Sequence, residues 1–485
     1  MPSLIIKKQN LKYLGLMLYM LVSSLILSNR YYFDDELFNI NIMTHYSLVD
    51  ILTTSKPADP SLALPFAINK LFYNHFPLSI FLPAIFINIF SLFYLFISFE
   101  KKLNKLSSKI FLSLFIFLNP SILMWCIGIR WYAYWTPLFL IAFVLLFVQK
   151  KRKYTITLCT LIFVMLTYMS YLSLLVIPVT YFNYFLLTKR RYLRELVFSV
   201  IIYSLLVSYQ VYILFTVHMV NADMQRLSII KSFFVTVMSI FTGSAIFPFE
   251  PVAVIFSVTI FALLIIYIFR VLNGKIKAHE LFIPILIFFV INIILLIFSE
   301  LGGKARNSIY LNVVLMMIVP IIIDTIERKY RALVLAIGVM FLLFNINNLI
   351  NQENTIKSSI NLPVKDLLKH VSSVQRSENQ NIFIYTHDPV ISYYLDNDNY
   401  QLLSYYGLVK DRNSLFHGKK GDIVIIIETY HGSISANFYQ KYIKRHNEII
   451  TENLTNIEIS ELGYDKWYKI KSYINGGPVP EYLVN

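Results

Sequence analysis

The chain has 485 residues, 57% apolar and 15% charged, with a formal net charge of +15, whereas soluble domains run at roughly 45–50% apolar and about 25% charged. That ratio excludes a soluble enzyme, and 14 glycines against 39 phenylalanines and 34 tyrosines exclude collagen-like and disordered classes. The two cysteines, Cys126 and Cys159, both lie in apolar stretches, so no disulfide framework is read and both are expected to be packing residues.

Apolar runs that approach or exceed the roughly 20 residues of a bilayer-spanning helix succeed one another from the amino terminus. They are Leu11 to Ser28, Leu78 to Phe99, Ile110 to Gly128, Trp131 to Val148, Tyr154 to Leu187, Leu196 to Val217, Pro251 to Phe269, Leu281 to Phe298, Ile309 to Ile326 and Ala332 to Ile350. The first run is read as a spanning helix and not a cleaved signal, because it is long and no small-x-small pattern precedes Arg30. Tyr154 to Leu187 is too long for one crossing and is interrupted at Tyr168-Met169-Ser170-Tyr171, which predicts two short helices and a total of eleven spans. Ser228 to Phe247 is read as an interfacial helix, since a twelfth span would reverse the charge pattern that follows it.

Basic clusters punctuate these runs: Lys7/Lys8/Lys12, Lys101/Lys102/Lys105/Lys109, Lys150 to Lys153, Lys189/Arg190/Arg191/Arg194, Arg270/Lys275/Lys277 and Arg328/Lys329/Arg331. With eleven spans every cluster falls on one side, which the positive-inside rule makes cytoplasmic. The amino terminus is then inside and residues 351 to 485 are outside. All of the basic excess lies in residues 1 to 350, in short loops beside lipid headgroups, so a nucleic-acid partner is excluded.

The terminal block has a different texture. Ile382 to Tyr385 and Asp422 to Glu428 are β-rich runs bounded by turn residues, and Phe438 to Ile449 reads as a helix. The expected architecture is therefore a mainly α membrane protein of about eleven transmembrane helices over residues 1–350, with a long first outer loop from Asn29 to about Phe76. A small extracytoplasmic α/β domain follows over residues 351–485.

Four outer segments hold residues with chemical capacity. Asp34-Asp35-Glu36, directly after the first span, is the chain's only acidic triplet; adjacent side chains diverge, so the three cannot share one role. Taken alone, the triplet also fits a solvated loop. Asp59-Pro60-Ser61-Leu62-Ala63-Leu64-Pro65 belongs to the same loop. Asn119-Pro120-Ser121 precedes Arg130-Trp131-Tyr132-Ala133-Tyr134 at the outer ends of the third and fourth spans, and Lys304 and Arg306 stand before Tyr310 at the outer ends of the ninth and tenth. A lone cation at such a place can equally snorkel to the headgroups.

In order and sidedness these residues resemble the GT-C superfamily of polytopic glycosyltransferases, over about residues 10 to 325 in layout. The resemblance rests on Asp35-Glu36, Pro60 and Pro65, Arg130 with Tyr132-Ala133, and Arg306 with Tyr310 and Pro320. The chain departs from better-known members in having Asp59-Pro60 where they carry His-Pro-Pro. Bacterial and phage O-antigen-modifying glucosyltransferases are similar in length, in the acidic outer loop and in the outward terminal domain.

The resemblance implies a hexosyltransferase of the bacterial inner membrane that takes sugar from a polyprenyl-phosphate donor, with inversion. Its acceptor would be a glycan or lipid-linked acceptor outside the cytoplasm, such as lipopolysaccharide O-antigen. By that resemblance Asp35 is the base, with Glu36 and Asp34 beside it, Arg130, Arg306 and Lys304 hold the donor phosphate, and Tyr132 and Tyr310 contact substrate. No cofactor is expected and no metal is assigned. Mg²⁺ or Mn²⁺ on the acidic triplet is disfavoured because no histidine or Asp-x-Asp spacing accompanies it. His387, His417 and His431 are read as surface or packing residues. An O-antigen polymerase or ligase and a transporter or flippase are the rival classes. The latter places ionisable residues inside the spans, which here are almost free of them.

Overall fold

The computed structural model describes residues 10–29, 34–53, 63–75, 80–149, 154–188, 192–213, 229–243, 250–277, 279–299 and 305–351, and in the terminal block 381–386, 401–404, 423–429, 454–455, 462–464 and 468–475. The chain divides into two compact units, Met1–Arg30 with Ile42–Ile356, and Tyr31–Asn41 with Lys357–Asn485.

The helices are α1 (Leu11–Asn29), α2 (Asp34–His45), α3 (Leu48–Thr53), α4 (Ala63–His75), α5 (Leu82–Glu100), α6 (Leu106–Phe117), α7 (Trp131–Phe147), α8 (Thr155–Thr167), α9 (Leu172–Thr188), α10 (Leu193–Ile213), α11 (Ile229–Thr242), α12 (Pro251–Leu272), α13 (Phe282–Phe298), α14 (Ile309–Thr325) and α15 (Arg328–Asn351). Among the described residues seven helical segments are long and apolar enough to cross a membrane: α1, α5, α6 with the π turn Ile122–Cys126, α10, α12, α14 with the turn before it, and α15. α7, α8, α9, α13 and most of α11 are apolar but shorter. The interruption read at Tyr168 to Tyr171 lies where α8 ends and α9 begins.

Burial sorts these helices into a centre and a rim. α6, α7 and α14 are buried on almost every face, while α1, α5, α10, α12, α13 and α15 expose Leu, Ile, Val and Phe on their outward faces. An apolar outward face is the expected surface of a protein solvated by lipid. Close approach within the centre depends on small residues: a Cβ at Gly15 of α1 would overlap the Phe117 ring of α6, and one at Gly338 of α15 would come within 2.9 Å of the Phe115 ring. The rings of Phe115, Phe256 and Phe341 then stack between α6, α12 and α15, the last two with centroids 4.0 Å apart.

Polar side chains repair the backbone where proline interrupts it. Pro137 inside α7 offers no N–H to the Ala133 carbonyl; the buried Asn88 of α5 donates to that carbonyl at 3.3 Å and to the Cys126 carbonyl at 2.8 Å. At the end of α6 the Asn119 side chain accepts from the Ile122 N–H at 3.2 Å and its carbonyl accepts from Leu123. Asn119 thus acts as a cap with Pro120 in the first position after it, which starts the π turn anew.

At the opposite end, Asp324 in the last turn of α14 accepts the backbone N–H groups of Asn104 and Lys105, both at 2.8 Å, beside the start of α6. Arg270 donates to the Thr325 carbonyl at 3.0 Å and Lys102 pairs with Glu280 at 3.0 Å. Nearby His279 accepts the Leu281 N–H through Nδ1, and burial lowers its pKa from the ordinary value, keeping it a neutral acceptor. Removing the Asp324 carboxylate leaves two N–H groups without their charge-assisted acceptor. Asp324→Ala is therefore expected to cost about 1–3 kcal/mol, read as a lower thermal midpoint in detergent, and Asp324→Asn less.

In the second unit six strands make one sheet: β1 (Ile382–Thr386), β2 (Gln401–Ser404), β3 (Ile423–Thr429), β4 (Leu454–Thr455), β5 (Leu462–Tyr464) and β6 (Tyr468–Asn475). The order is β2-β1-β3-β6-β4, with β5 also on β6. β1 pairs parallel with β2 and β3, in register Ile384 opposite Ile425, and β3 pairs antiparallel with β6. Ile382, Ile384 and Ile425 are buried, the alternation of a strand with one covered face. Both β-rich runs of the sequence lie in this sheet, and the helix read at Phe438 to Ile449 is outside the described residues.

Candidate functional site

Between α1 and α5 the end of α2 from Ile42, α3 and α4 contribute to the neighbourhood of Trp131. Ser47 caps α3: its Oγ and N–H donate to the Asp50 carboxylate at 2.6 and 3.1 Å while the Asp50 N–H donates back to Ser47 Oγ at 3.1 Å, a capping box with Asp in the place of Glu. Those donors hold the Asp50 carboxyl below its ordinary pKa. Ile42 of α2, Ile51 of α3 and Phe66 and Ala67 of α4 form a small buried core, against which Trp131 of α7 packs. Lys70 of α4 donates to the Met43 carbonyl of α2. The loop is thus a folded cap seated on the first residue of α7.

Asn69, in the middle of α4 and fully buried, fastens that cap to the main chain. Its amide donates to the Ile129 carbonyl at 2.7 Å, and its side-chain oxygen accepts the Tyr134 hydroxyl. Arg130 lies between these two points. It caps α7 in extended conformation, φ −89° and ψ 162°, and is 8% exposed.

Arg306 lies two residues before the cap of α14, Ser308, within the 3₁₀ turn Ala305–Ser308 that leads into the helix. The first turn of α14 meets the second and third turns of α7 through rings: Trp135 lies edge-on to Tyr310 at 5.5 Å and Phe139 to Tyr310 at 5.4 Å. Two helices that each follow an arginine thus pack on each other near the start of α14. The macrodipole of a helix favours an anion at its amino terminus, and a guanidinium placed there is able to offer a bidentate fork.

A second layer fixes α14. Asn119 donates to Asn312 of α14 at 2.8 Å, Asn312 donates to the Ile240 carbonyl of α11 at 2.6 Å, and Ser121 donates to the Gly243 carbonyl at 2.6 Å. Gly243 ends α11 at φ +74°, a conformation favouring glycine, and a Cβ there would lie 3.2 Å from Ser121 Oγ. The last carbonyls of α11, which have no intrahelical partner, are thereby satisfied by buried side chains of the π-turn segment and α14.

Tyr310 is buried, with its hydroxyl donating to Asn292 of α13 at 2.9 Å. Tyr132 is buried against Trp125 and Trp131. Asp34, Asp35 and Glu36 form the first turn of α2, which falls with the second unit; Glu36 is 1% exposed, and the side chains of Asp34 and Asp35 lie outside the described residues, as do Lys304 and Pro60. Among the described residues no three His, Cys, Asp or Glu cluster as a metal set. Reading the sequence missed Asn69, Asn88 and Asn312. The only signal Asn88 and Asn312 give is a single amide in an apolar helix, and Asn69 is one of two in α4; a buried polar group requires a partner.

Neither a known family nor a curated protein matches the chain by sequence. Solved structures that share its fold include ArnT from Cupriavidus metallidurans in the apo state, at 11% identity and a TM-score of 0.55 over 96% of this chain and 98% of that one. They also include the same protein bound to undecaprenyl phosphate, at 9% identity and a TM-score of 0.56 over 95% and 97%. Likeness at such low identity over nearly the whole of both chains gives this protein the ArnT fold, that of an integral membrane protein.

Proposed function

We propose that the chain is a GT-C glycosyltransferase that moves a hexose from a polyprenyl-phosphate donor to an extracytoplasmic acceptor, with inversion. The observation that carries this reading is that Arg130 and Arg306 each precede an apolar helix, α7 and α14, and that these two helices pack on each other through Trp135, Phe139 and Tyr310. The ArnT structure bound to undecaprenyl phosphate, which shares the fold, supports a lipid of that class as the donor carrier. In the step proposed, an acceptor hydroxyl attacks the anomeric carbon from the face opposite the phosphate and the bond from that carbon to the phosphate oxygen breaks. Asp35 takes the hydroxyl proton, and polyprenyl phosphate leaves with its charge held by Arg130 and Arg306. Lys304 adds a point charge, Glu36 orients the acceptor or a basic side chain, and Tyr132 and Tyr310 shape the substrate's surroundings; Asp34 contributes least. Mg²⁺ and Mn²⁺ have no part in this scheme. The acceptor favoured by the resemblance is lipopolysaccharide O-antigen or another cell-envelope glycan.

The topology that goes with this function is eleven spans, α11 lying at the interface, in a bacterial inner membrane. The amino terminus is cytoplasmic and the sheet of residues 351–485 belongs to a periplasmic α/β domain. The basic clusters support it, all of them falling on alternate connections. A reporter fused after Asn485 is expected to be active outside the cytoplasm and one fused after Lys153 inside; a cytoplasmic carboxyl terminus would remove Arg306 from the donor's side.

Donor binding is tested apart from chemistry by native mass spectrometry of the detergent-purified chain with undecaprenyl phosphate and, as control, undecaprenol. Preferential binding of one molecule of the phosphate is expected. Equal uptake of both lipids, or of neither, contradicts the reading.

A further inference from the structure

We infer that Asn69 is a positioning residue for Arg130, fixing the peptide plane from which the donor-binding guanidinium projects. The inference rests on the donor reading above. The carbonyl to which Asn69 donates at 2.7 Å belongs to Ile129, and that carbonyl and the Arg130 amide nitrogen share one peptide group. Holding its oxygen therefore fixes the torsions on both sides of it, including the φ of −89° at Arg130. The second attachment, from the Tyr134 hydroxyl, ties the same amide to the first full turn of α7.

Arg130 needs such a hold because it precedes the helix. Its carbonyl accepts the Ala133 N–H at 3.0 Å, whereas the peptide group on its amino side lies before the helix, with an extended ψ of 162° at Arg130. The bond from Asn69 holds the oxygen of that peptide group, and the direction of the side chain follows the plane. Asn69 can supply that bond because it is fully buried, so water does not compete, and because α4 is itself immobilised by Phe66 and Ala67 in the small core against Trp131. A donor and an acceptor on one rigid amide bind a carbonyl and a hydroxyl that flank the arginine. An aspartate keeps only the acceptor, and a leucine keeps neither.

Displacing a charged group by about 1 Å costs up to roughly 10²-fold in rate, so Asn69→Leu and Asn69→Asp are expected to lower kcat/KM for the polyprenyl-phosphate donor by about 10- to 100-fold. Tyr134→Phe, which spares the bond to Ile129, should lower it by less. The discriminating measurement repeats these substitutions in an Arg130→Lys background, at matched amounts of monodisperse protein. If Asn69 acts through the guanidinium fork, its loss there changes kcat/KM by less than about threefold, because the group it positions is already gone. A loss of equal size in both backgrounds identifies a merely structural residue and overturns the inference, as does wild-type donor use by Asn69→Asp and Asn69→Leu while Arg130→Ala is impaired. Wild-type donor use by Arg130→Ala itself is a different pattern, and it overturns the donor reading together with this one.

Discussion

Arg306→Ala and Arg130→Ala are each expected to lower turnover of a polyprenyl-phosphate sugar by about 10²- to 10³-fold, the cost of removing one preorganised stabiliser of developing charge. The reason lies in where the two side chains stand. Each precedes an apolar helix, Arg130 before α7 and Arg306 before α14, and the first turn of α14 is held against the second and third turns of α7 by Tyr310, Trp135 and Phe139. Under the proposed function both guanidinium groups hold the donor phosphate. Lysine at either position should restore only part of the rate, since it keeps the charge and loses the bidentate geometry. The substitutions should weaken undecaprenyl phosphate binding in parallel. Turnover at the wild-type rate by both alanine variants, at matched amounts in the membrane, would show that these arginines serve only the headgroups.

The acidic triplet is the other place where single substitutions should be severe. Loss of a general base typically costs about 10²- to 10⁴-fold, and Asp35→Asn is expected in that range. Adjacent residues in the first turn of α2 point about 100° apart around the helix, so Asp35→Asn, Glu36→Gln and Asp34→Asn should differ in severity, with Asp34→Asn the mildest. Glu36 is 1% exposed, and a carboxylate buried to that degree is costly unless paired. Glu36 has a partner in the structure, so its amide variant should lower the thermal midpoint as well as turnover. Wild-type transfer by all three amide variants, singly and combined, would take this loop out of the chemistry.

The elements most legible in the sequence are those set by one-dimensional rules. The length of apolar runs marks α1, α5, α12 and α15 to within a few residues, and the polar interruption at Met169-Ser170 separates α8 from α9. β1 and β3 lie in the β-rich runs. The segment after Asn29 reads as a loop, yet it holds α2, α3 and α4. Their apolar residues, Ile42, Ile51, Phe66 and Ala67, are too few and too scattered to announce a core until Trp131 comes to meet them. The two arginines are legible because a cation at the end of an apolar run is conspicuous. The amides that support the bundle around them are not: Asn88 serves a carbonyl freed by Pro137 in another helix, and Asn312 serves one at the end of α11. Such partnerships form across long stretches of chain and have no local pattern.

Transfer itself is the most direct test of the proposed activity. Membranes containing the protein, and matched membranes containing Asp35→Asn, would be incubated with radiolabelled polyprenyl-phosphate hexoses and cell-envelope glycan, and the label followed from the lipid fraction to the glycan fraction. Label from one of these donors is expected to move to glycan with the wild-type protein, with inverted anomeric configuration, and to stay with the lipid when Asp35→Asn is used. Label that remains in the lipid fraction with every donor, in membranes where the protein binds undecaprenyl phosphate, would contradict the proposed activity.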